Sequence, residues 1–517
     1  MKTDVLILGG GLAAMTAADR IVRDSNLRVT LLRWGSGASP YIHGFCMPLG
    51  EGDSMDLLAA DTMASGCGQS DPALVETLCR GTAELPAFFA SLGVDMDRQN
   101  GTYRLLHALG SSVPRIASIE NSTGPALLSR LRKHLKESGR YEEMEHCRAL
   151  SLVKEGGRVA GARCYDKSTD SFFTVASGVV VLATGGFGRL FPQSSNSSDI
   201  GGDGIAMAYD AGAALTDLEF IQFEPSSAVW PESIAGKGII TTMLYDGAVL
   251  RGADGRRFML DKGYKSECVP KDVLAKCIYR EMDEHGTTPH GGVWFDATGV
   301  PGELWQGAYR PYLNRYLACG IDLRKTPVEI APAAHSTCGG VVVDRNCYTG
   351  VPGLLACGEV TGGLHGASRL GGNAGLETMV FGLRAGREAA ARYEPAPDLP
   401  EDRRGNPRPS LDAEPIRREL EEILRECLNV VRRGETMEAG LRRLEALLEN
   451  PGLREEAFET MRLRNDFLTA WLALRSARER RGSVGCHCRA DGVPEDRPYR
   501  LLLRRGSIGC TVRRERL

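Results

Sequence analysis

Residues 3–14, TDVLILGGGLAA, constrain the fold of this chain more tightly than any other stretch. Thr3–Leu8 is an apolar run of strand length, and Gly9-Gly10-Gly11-Leu12-Ala13-Ala14 follows at once, before the helical stretch AAMTAADRIV. Strand, G-x-G-x-x-A and helix in that order form the phosphate-cradling turn of a dinucleotide-binding βαβ unit. Gly9 permits the tight turn, Gly11 lets the backbone approach a pyrophosphate, and Ala14 allows close packing of helix on strand. The helix N-terminus adds the positive end of its dipole. The expected frame is therefore a doubly wound, mostly parallel sheet.

The chain has 517 residues, enough for two or three domains, with 42% apolar residues and a mean hydropathy of -0.20. This composition describes an ordinary globular protein rather than a disordered one. A net charge of -3, from 63 basic and 66 acidic residues, gives no overall attraction to nucleic acid or to an anionic membrane. The segment RRGSIGCTVRRERL is locally basic and reads as a solvated end. No apolar run approaches the roughly eighteen residues of a membrane span, and MKTDVLILGG lacks the pattern of a signal peptide. A cytoplasmic protein without direct membrane insertion is expected. Fifteen cysteines are scattered with no C-x-x-C pair, so reduced thiols are expected, with no iron–sulfur cluster or other metal held by this chain.

A second informative stretch, His335–Gly382, reads HSTCGGVVVDRNCYTGVPGLLACGEVTGGLHGASRLGGNAGLETMVFG. VPGLLACGE is a short apolar strand ending in Gly358-Glu359, where a carboxylate can meet ribityl hydroxyls of a dinucleotide lying across the sheet. Arg369 sits in a glycine-rich loop open to close approach by a ligand. His335, Gly339, Gly340, Gly358, Glu359, His365, Gly366, Arg369 and Asn373 follow the order H-x-x-x-G-G, G-E, H-G-x-x-R-x-x-x-N. In this the chain resembles the flavoprotein subunit of fumarate reductase and succinate dehydrogenase, and equally L-aspartate oxidase, as a divergent member.

The resemblance implies an α/β fold: a Rossmann-like FAD-binding domain (1–225 and 330–395), an inserted α+β capping domain (226–329) and a C-terminal helical bundle (410–480) followed by a tail (481–517). Amphipathic spacing in IRRELEEILRECLNVV, LRRLEALLE and FLTAWLALRSA supports three helices in the bundle. ARERRGSVGCHCRAD matches the family's terminal motif, so the likeness covers nearly the whole chain.

The implied cofactor is FAD. VVVLATGGFG, with Thr184 and Gly185, matches the strand and turn that close over it, and Gly202-Asp203-Gly204 matches a turn whose aspartate contacts it. Ser39 and Gly44 are retained in the loop SGASPYIHGFC, while His43 and Phe45 replace a glutamine and a glycine. His43 either bonds the flavin or is a satisfied loop histidine. The histidine that carries a covalent flavin in some members aligns with Ala38, so a non-covalent FAD is expected. Arg33 replaces the usual ribose-binding acid and would stack on adenine or meet a phosphate. Ala374, before Gly375, replaces a serine of the flavin loop.

At the substrate end the resemblance carries over His335, Arg369 and Thr241 as anion clamps. Glu224, in QFEPS, replaces a carboxylate-binding histidine, and a carboxylate there would repel the second carboxylate of fumarate. Lys271 replaces the arginine assigned as proton donor, with Asp272 placed to orient it; the bland alternative is a helix cap or a surface ion pair. Thr242 replaces a glutamate. The expected function is FAD-dependent oxidoreduction at CH–CH or CH–NH groups of a small carboxylate, by hydride transfer, with a substrate other than fumarate. Amine oxidation of the L-aspartate oxidase kind, an electron-transfer subunit served by an iron–sulfur or flavin protein partner, and an inactive flavin-binding module are the alternatives.

Overall fold

The computed structural model describes residues 1–517 apart from Asn121, Asp496 and Ile508; the last two fall in the expected terminal tail and lie outside the described residues. Lys2–Leu8 pairs in parallel with Val29–Arg33 on one side and with the end of Ser171–Leu182 on the other. Tyr141–Glu145 and Leu354–Ala356 extend this parallel sheet. The front half of Ser171–Leu182 instead pairs antiparallel with Arg158–Asp166, which pairs with Cys147–Glu155. Val5, Leu6 and Ile7 are fully buried, as a strand covered on both faces requires. Helices Leu12–Asp24 and Asn373–Ala391 cross closely over one face because Gly382 and Gly386 carry no side chain. A Cβ at these positions would lie 2.9 Å from Ala13 O and 2.6 Å from Ala17 O.

The inserted region is built on an antiparallel sheet in the order Ile221–Ala228, Val328–Thr337, Val293–Asp296, Val249–Arg251. Its own apolar core includes Leu250, Phe258, Ile278, Phe295, Tyr316 and Ile330. Glu224 and His335 stand on the first two of these strands, so the expected boundaries at 225 and 330 fall inside paired strands. Helix Lys271–His285 packs on the first strand and presents Lys271 at its N-terminus.

Helices Ala413–Cys427, Gly434–Leu448 and Phe458–Glu479 pack together through Leu420, Leu424, Met437, Leu441, Leu444 and Phe467. The end of the chain adds a pairing that its composition does not announce. Tyr499–Arg505 and Cys510–Arg516 form an antiparallel hairpin, and Leu503 and Leu502 pair with Leu215 and Thr216. The first strand of the hairpin is thus docked, while the described residues of 504–517 are exposed or half-buried, as expected for a solvated end. Alternation along the strand explains this: Leu501 and Leu503 are fully buried while Arg504, Arg505 and Arg514 face solvent. Arg480 anchors the hairpin, donating to Glu219 Oε1 at 2.6 Å and to Tyr499 O at 2.8 Å. All fifteen cysteines are free thiols, and among the described residues no helix is long and apolar enough to cross a membrane.

Candidate active site

One long cleft runs from Gly9–Gly11 at the end of the first strand to Glu224, Lys271, His335 and Arg369 beneath the inserted region. At the phosphate turn, Gly9 has φ +124° and an added Cβ would lie 2.1 Å from Ala183 O, so only glycine fits. Gly11 is the N-cap of helix Leu12–Asp24, and Ser39 Oγ, which lines the cleft, accepts from Leu12 N–H at 2.8 Å. Ala14 is fully buried behind the cleft, where it serves helix packing rather than contact.

Thr184 and Gly185 line the opposite wall, and Thr184 Oγ1 is buried without a partner among the described residues. Glu359 Oε1 accepts from Thr337 N–H at 2.9 Å. Burial pushes the Glu359 carboxyl above its ordinary range, against opposing effects of the Thr337 amide and Arg369. Ala374 and Gly375 open helix Asn373–Ala391 and bring a second helix N-terminus to the cleft. Asp203 lines the cleft and is held by the Arg148 guanidinium, whose Nε lies 3.0 Å from Asp203 Oδ2. Two helix N-termini, glycines without side chains, an orphaned hydroxyl and a carboxylate at a strand end form a donor and acceptor set that fits a flavin dinucleotide.

Arg33 does not line this cleft. Its Nε lies 2.7 Å from Glu143 Oε1 and its Nη2 2.5 Å from Glu145 Oε1, both on the neighbouring strand. The expected adenine or phosphate contact is replaced by charge neutralisation at the sheet edge; Trp34, the next residue, lines the cleft instead.

At the other end, Lys271 Nζ is ion-paired with Glu224 Oε2. Their side chains are 12% and 8% exposed. His335 Nε2 lies 3.8 Å from the same oxygen, and His335 Nδ1 lies 2.8 Å from Ser195 Oγ. Burial raises the Glu224 pKa, but the Lys271 ammonium and the Arg369 guanidinium outweigh it and hold the carboxyl below its ordinary value. Burial drives His335 down to about 3, so its imidazole is neutral. The buried Arg369 donates Nη1–H to Leu370 O at 3.1 Å, while Nε has no partner among the described residues. Gln222 fixes the Arg369 backbone, donating to its carbonyl at 2.9 Å. Thr241 lines the cleft, and Thr242 is occupied by a 2.9 Å hydrogen bond to His107 O.

Asp272 does not orient Lys271. It receives Lys276 Nζ at 3.0 Å and Ser368 Oγ at 3.3 Å, which stiffens the Arg369 loop. His43 is neither alone in its loop nor free, since its Nε2 lies 2.8 Å from Tyr312 Oη. It faces the open cleft, where its side chain is exposed but surrounded by protein, and desolvation followed by Arg315 brings its pKa to about 4. Gly44 beside it lines the cleft and packs its backbone on Ala117 O.

Residues 4–374 match the FAD binding domain family, and residues 417–500 match the fumarate reductase flavoprotein C-terminal family. The chain belongs to the flavoprotein family of fumarate reductase, succinate dehydrogenase and L-aspartate oxidase. It is 33% identical to one of the subunits of the CoM/CoB fumarate reductase of Methanothermobacter marburgensis, over 96% of this chain and 95% of that protein. L-aspartate oxidase of Streptomyces coelicolor is 32% identical over 96% of this chain and 90% of the relative. Among solved structures, Mycobacterium smegmatis Sdh1 in complex with UQ1 superposes with a TM-score of 0.84 at 27% identity, covering 100% of this chain and 94% of that one.

The chain is accordingly an FAD-dependent oxidoreductase of this family, acting on CH–CH or CH–NH groups. When bound, FAD supplies or accepts the hydride. The protein contributes an arginine beside a neutral histidine and a lysine held by a buried carboxylate, which suit anion binding and proton transfer. Arg148, Ser195, Tyr312 and Arg315 line the cleft although no motif marks them in the sequence. Tyr312 and Arg315 lie three apart on helix Arg310–Leu317, a spacing that looks like any amphipathic helix until the fold closes.

Proposed function

We propose that this enzyme reduces the carbon–carbon double bond of an enoate, or catalyses the reverse, on a substrate other than unmodified fumarate. Arg369 grips the carboxylate through N–H groups directed at the cleft, with neutral His335 as a directed hydrogen-bond partner. Lys271 gives the proton to the carbon next to the one that receives hydride, and Glu224 holds that lysine in place. The observation that carries this reading is the Lys271–Glu224 ion pair in the substrate end of the cleft. With Glu224 committed to Lys271, position 224 offers no positive group to a second carboxylate.

The reading extends to a non-covalent FAD, because Ala38 offers no nucleophile at the position of the family's flavin-linked histidine. It also extends to a cytoplasmic location and to a protein partner that exchanges electrons with the flavin, a role supported by the relative whose name marks it as one subunit of a reductase. The likeness to L-aspartate oxidases supports amine oxidation as a second reading. The deciding test follows flavin absorbance while reduced enzyme meets unsaturated carboxylates and oxidised enzyme meets amino acids. Reoxidation by an enoate supports the proposal; bleaching and peroxide release with an amino acid alone would replace it by the second reading.

A further inference from the structure

Besides Arg369 and the Asp203-bound Arg148, the cleft contains a guanidinium that the family motifs did not indicate. Arg315, half-buried on helix Arg310–Leu317, lines the same cleft as Arg369 and donates Nη1–H to Gly238 O at 2.9 Å. It has no carboxylate partner among the described residues, in contrast to Lys271. A guanidinium in a cleft wall that spends one of its five donors on a carbonyl retains a fork suited to a carboxylate, phosphate or sulfonate.

Its neighbours fix where it stands. Gly238 lies against the outer side of Glu224: a Cβ added at Gly238 would be 3.6 Å from Glu224 Cγ. On the other side of Glu224, His335 Nε2 lies 3.8 Å from its Oε2. Through Gly238, Arg315 therefore stands next to the Lys271–Glu224 pair, and Tyr312, on the same helix, is hydrogen-bonded to His43 at 2.8 Å. Lys237, whose ammonium lies 5.0 Å from the Tyr41 ring, adds a cation on the Arg315 side.

We infer that Arg315 is a second anion clamp, and that the substrate is an elongated dianion whose reacting enoate sits at Arg369 and whose far anionic group passes the Lys271–Glu224 pair to reach Arg315. In fumarate the second carboxylate adjoins the double bond and would fall beside Glu224; a longer molecule escapes that repulsion and gains the unpaired guanidinium. Tyr312 positions this end, since its hydroxyl ties the Arg315 helix to His43 in the flavin loop. The inference rests on the enoate reading and names the substrate class of the same site.

Muconate and sorbate test it, because both are six-carbon dienoates that differ in a terminal carboxylate against a methyl group. Fumarate and crotonate make the same comparison at four carbons. Reoxidation of reduced enzyme gives KM for each, and visible absorbance changes of oxidised flavin give binding of the saturated analogues adipate and hexanoate without turnover. The expected result is a preference of roughly tenfold or more for muconate over sorbate, and for adipate over hexanoate, with no such preference for fumarate over crotonate. Arg315→Gln should collapse the six-carbon preference through KM and binding of the diacids, and Arg315→Lys should restore part of it. Flavin absorbance of each variant reports the intact fold. Equal binding of adipate and hexanoate, or a preference that survives in Arg315→Gln, overturns the inference. An Arg315-dependent preference in binding without reduction of any of the four enoates keeps the clamp and overturns the enoate reaction instead.

Discussion

Lys271 and Glu224 are ion-paired within the cleft, the lysine on the first turn of a helix and the glutamate on a strand beside it, with both side chains almost wholly buried. Each charge is tolerable there only because of the other, which links folding and chemistry at this one contact.

Removing one partner separates the two roles. Lys271→Met leaves Glu224 buried and unpaired, with an expected stability loss of about 3–5 kcal/mol, together with a fall in turnover of roughly a hundredfold or more. The double substitution Lys271→Met with Glu224→Gln should recover much of the stability and none of the turnover. Denaturant titration and single-turnover flavin kinetics measure the two quantities. Recovery of turnover in the double variant would remove Lys271 from proton transfer.

In the proposed reaction Arg369 holds substrate. Arg369→Gln should lower kcat/KM by about ten- to a hundredfold, equivalent to losing a charge-assisted hydrogen bond of about 1.5–3 kcal/mol. Bound flavin should remain at wild-type stoichiometry, which visible absorbance checks. Loss of flavin would instead place Arg369 in cofactor binding.

The two cleft histidines set an acid limit on stability. His335 and His43 have folded pKa values of about 3 and about 4, below the ordinary value near 6.5. Between those limits the unfolded chain binds protons that the folded chain does not, so stability rises with pH through this window and is lost on acidification below about pH 6.5. Glu224, held below its ordinary range, adds a loss at still lower pH, as its folded form takes a proton. Denaturation midpoints from pH 4 to 8 should slope upward in the wild type, and less steeply in His43→Gln and His335→Gln. An unchanged slope in both variants would contradict the neutral histidines.

The terminal hairpin supports the fold. Leu503→Ala removes a fully buried side chain paired with Leu215 and should cost about 2–5 kcal/mol. Leu502→Ala, on the less buried side of the strand, should cost less. Thermal unfolding of the flavin-loaded protein compares them, and equal effects would mean the hairpin is not docked in solution.

Acid precipitation tests the cofactor linkage. Ala38 cannot bond covalently to the flavin, so the yellow colour should pass into the supernatant. A coloured pellet would locate a covalent bond elsewhere.

The cofactor frame was legible in the sequence because its constraints are local: Gly9, Gly11, Gly358-Glu359 and the residues before Gly375 work through turns and helix ends that a few consecutive residues dictate. The pairings were not legible. Arg33 meets Glu143 and Glu145 only because two strands more than a hundred residues apart align in register. Lys271 finds Glu224, and Tyr312 finds His43, through the placement of the inserted region, which no short motif encodes. The docking of the terminal hairpin was not legible either, because it rests on Leu501 and Leu503, two residues of a short run whose partner strand lies nearly three hundred residues earlier. Asp272 illustrates the same limit: adjacency in sequence to Lys271 suggested a partnership, yet on a helix neighbouring residues point apart.

The pairing of Leu502 and Leu503 with Thr216 and Leu215 also sets an order of events at the ribosome. Those two early residues lead into the strand that carries Glu224, yet their partners are synthesised after nearly three hundred further residues. During translation this edge must stand open, so the growing polypeptide carries an unfinished sheet next to its future active centre until residues 499–516 have left the exit tunnel.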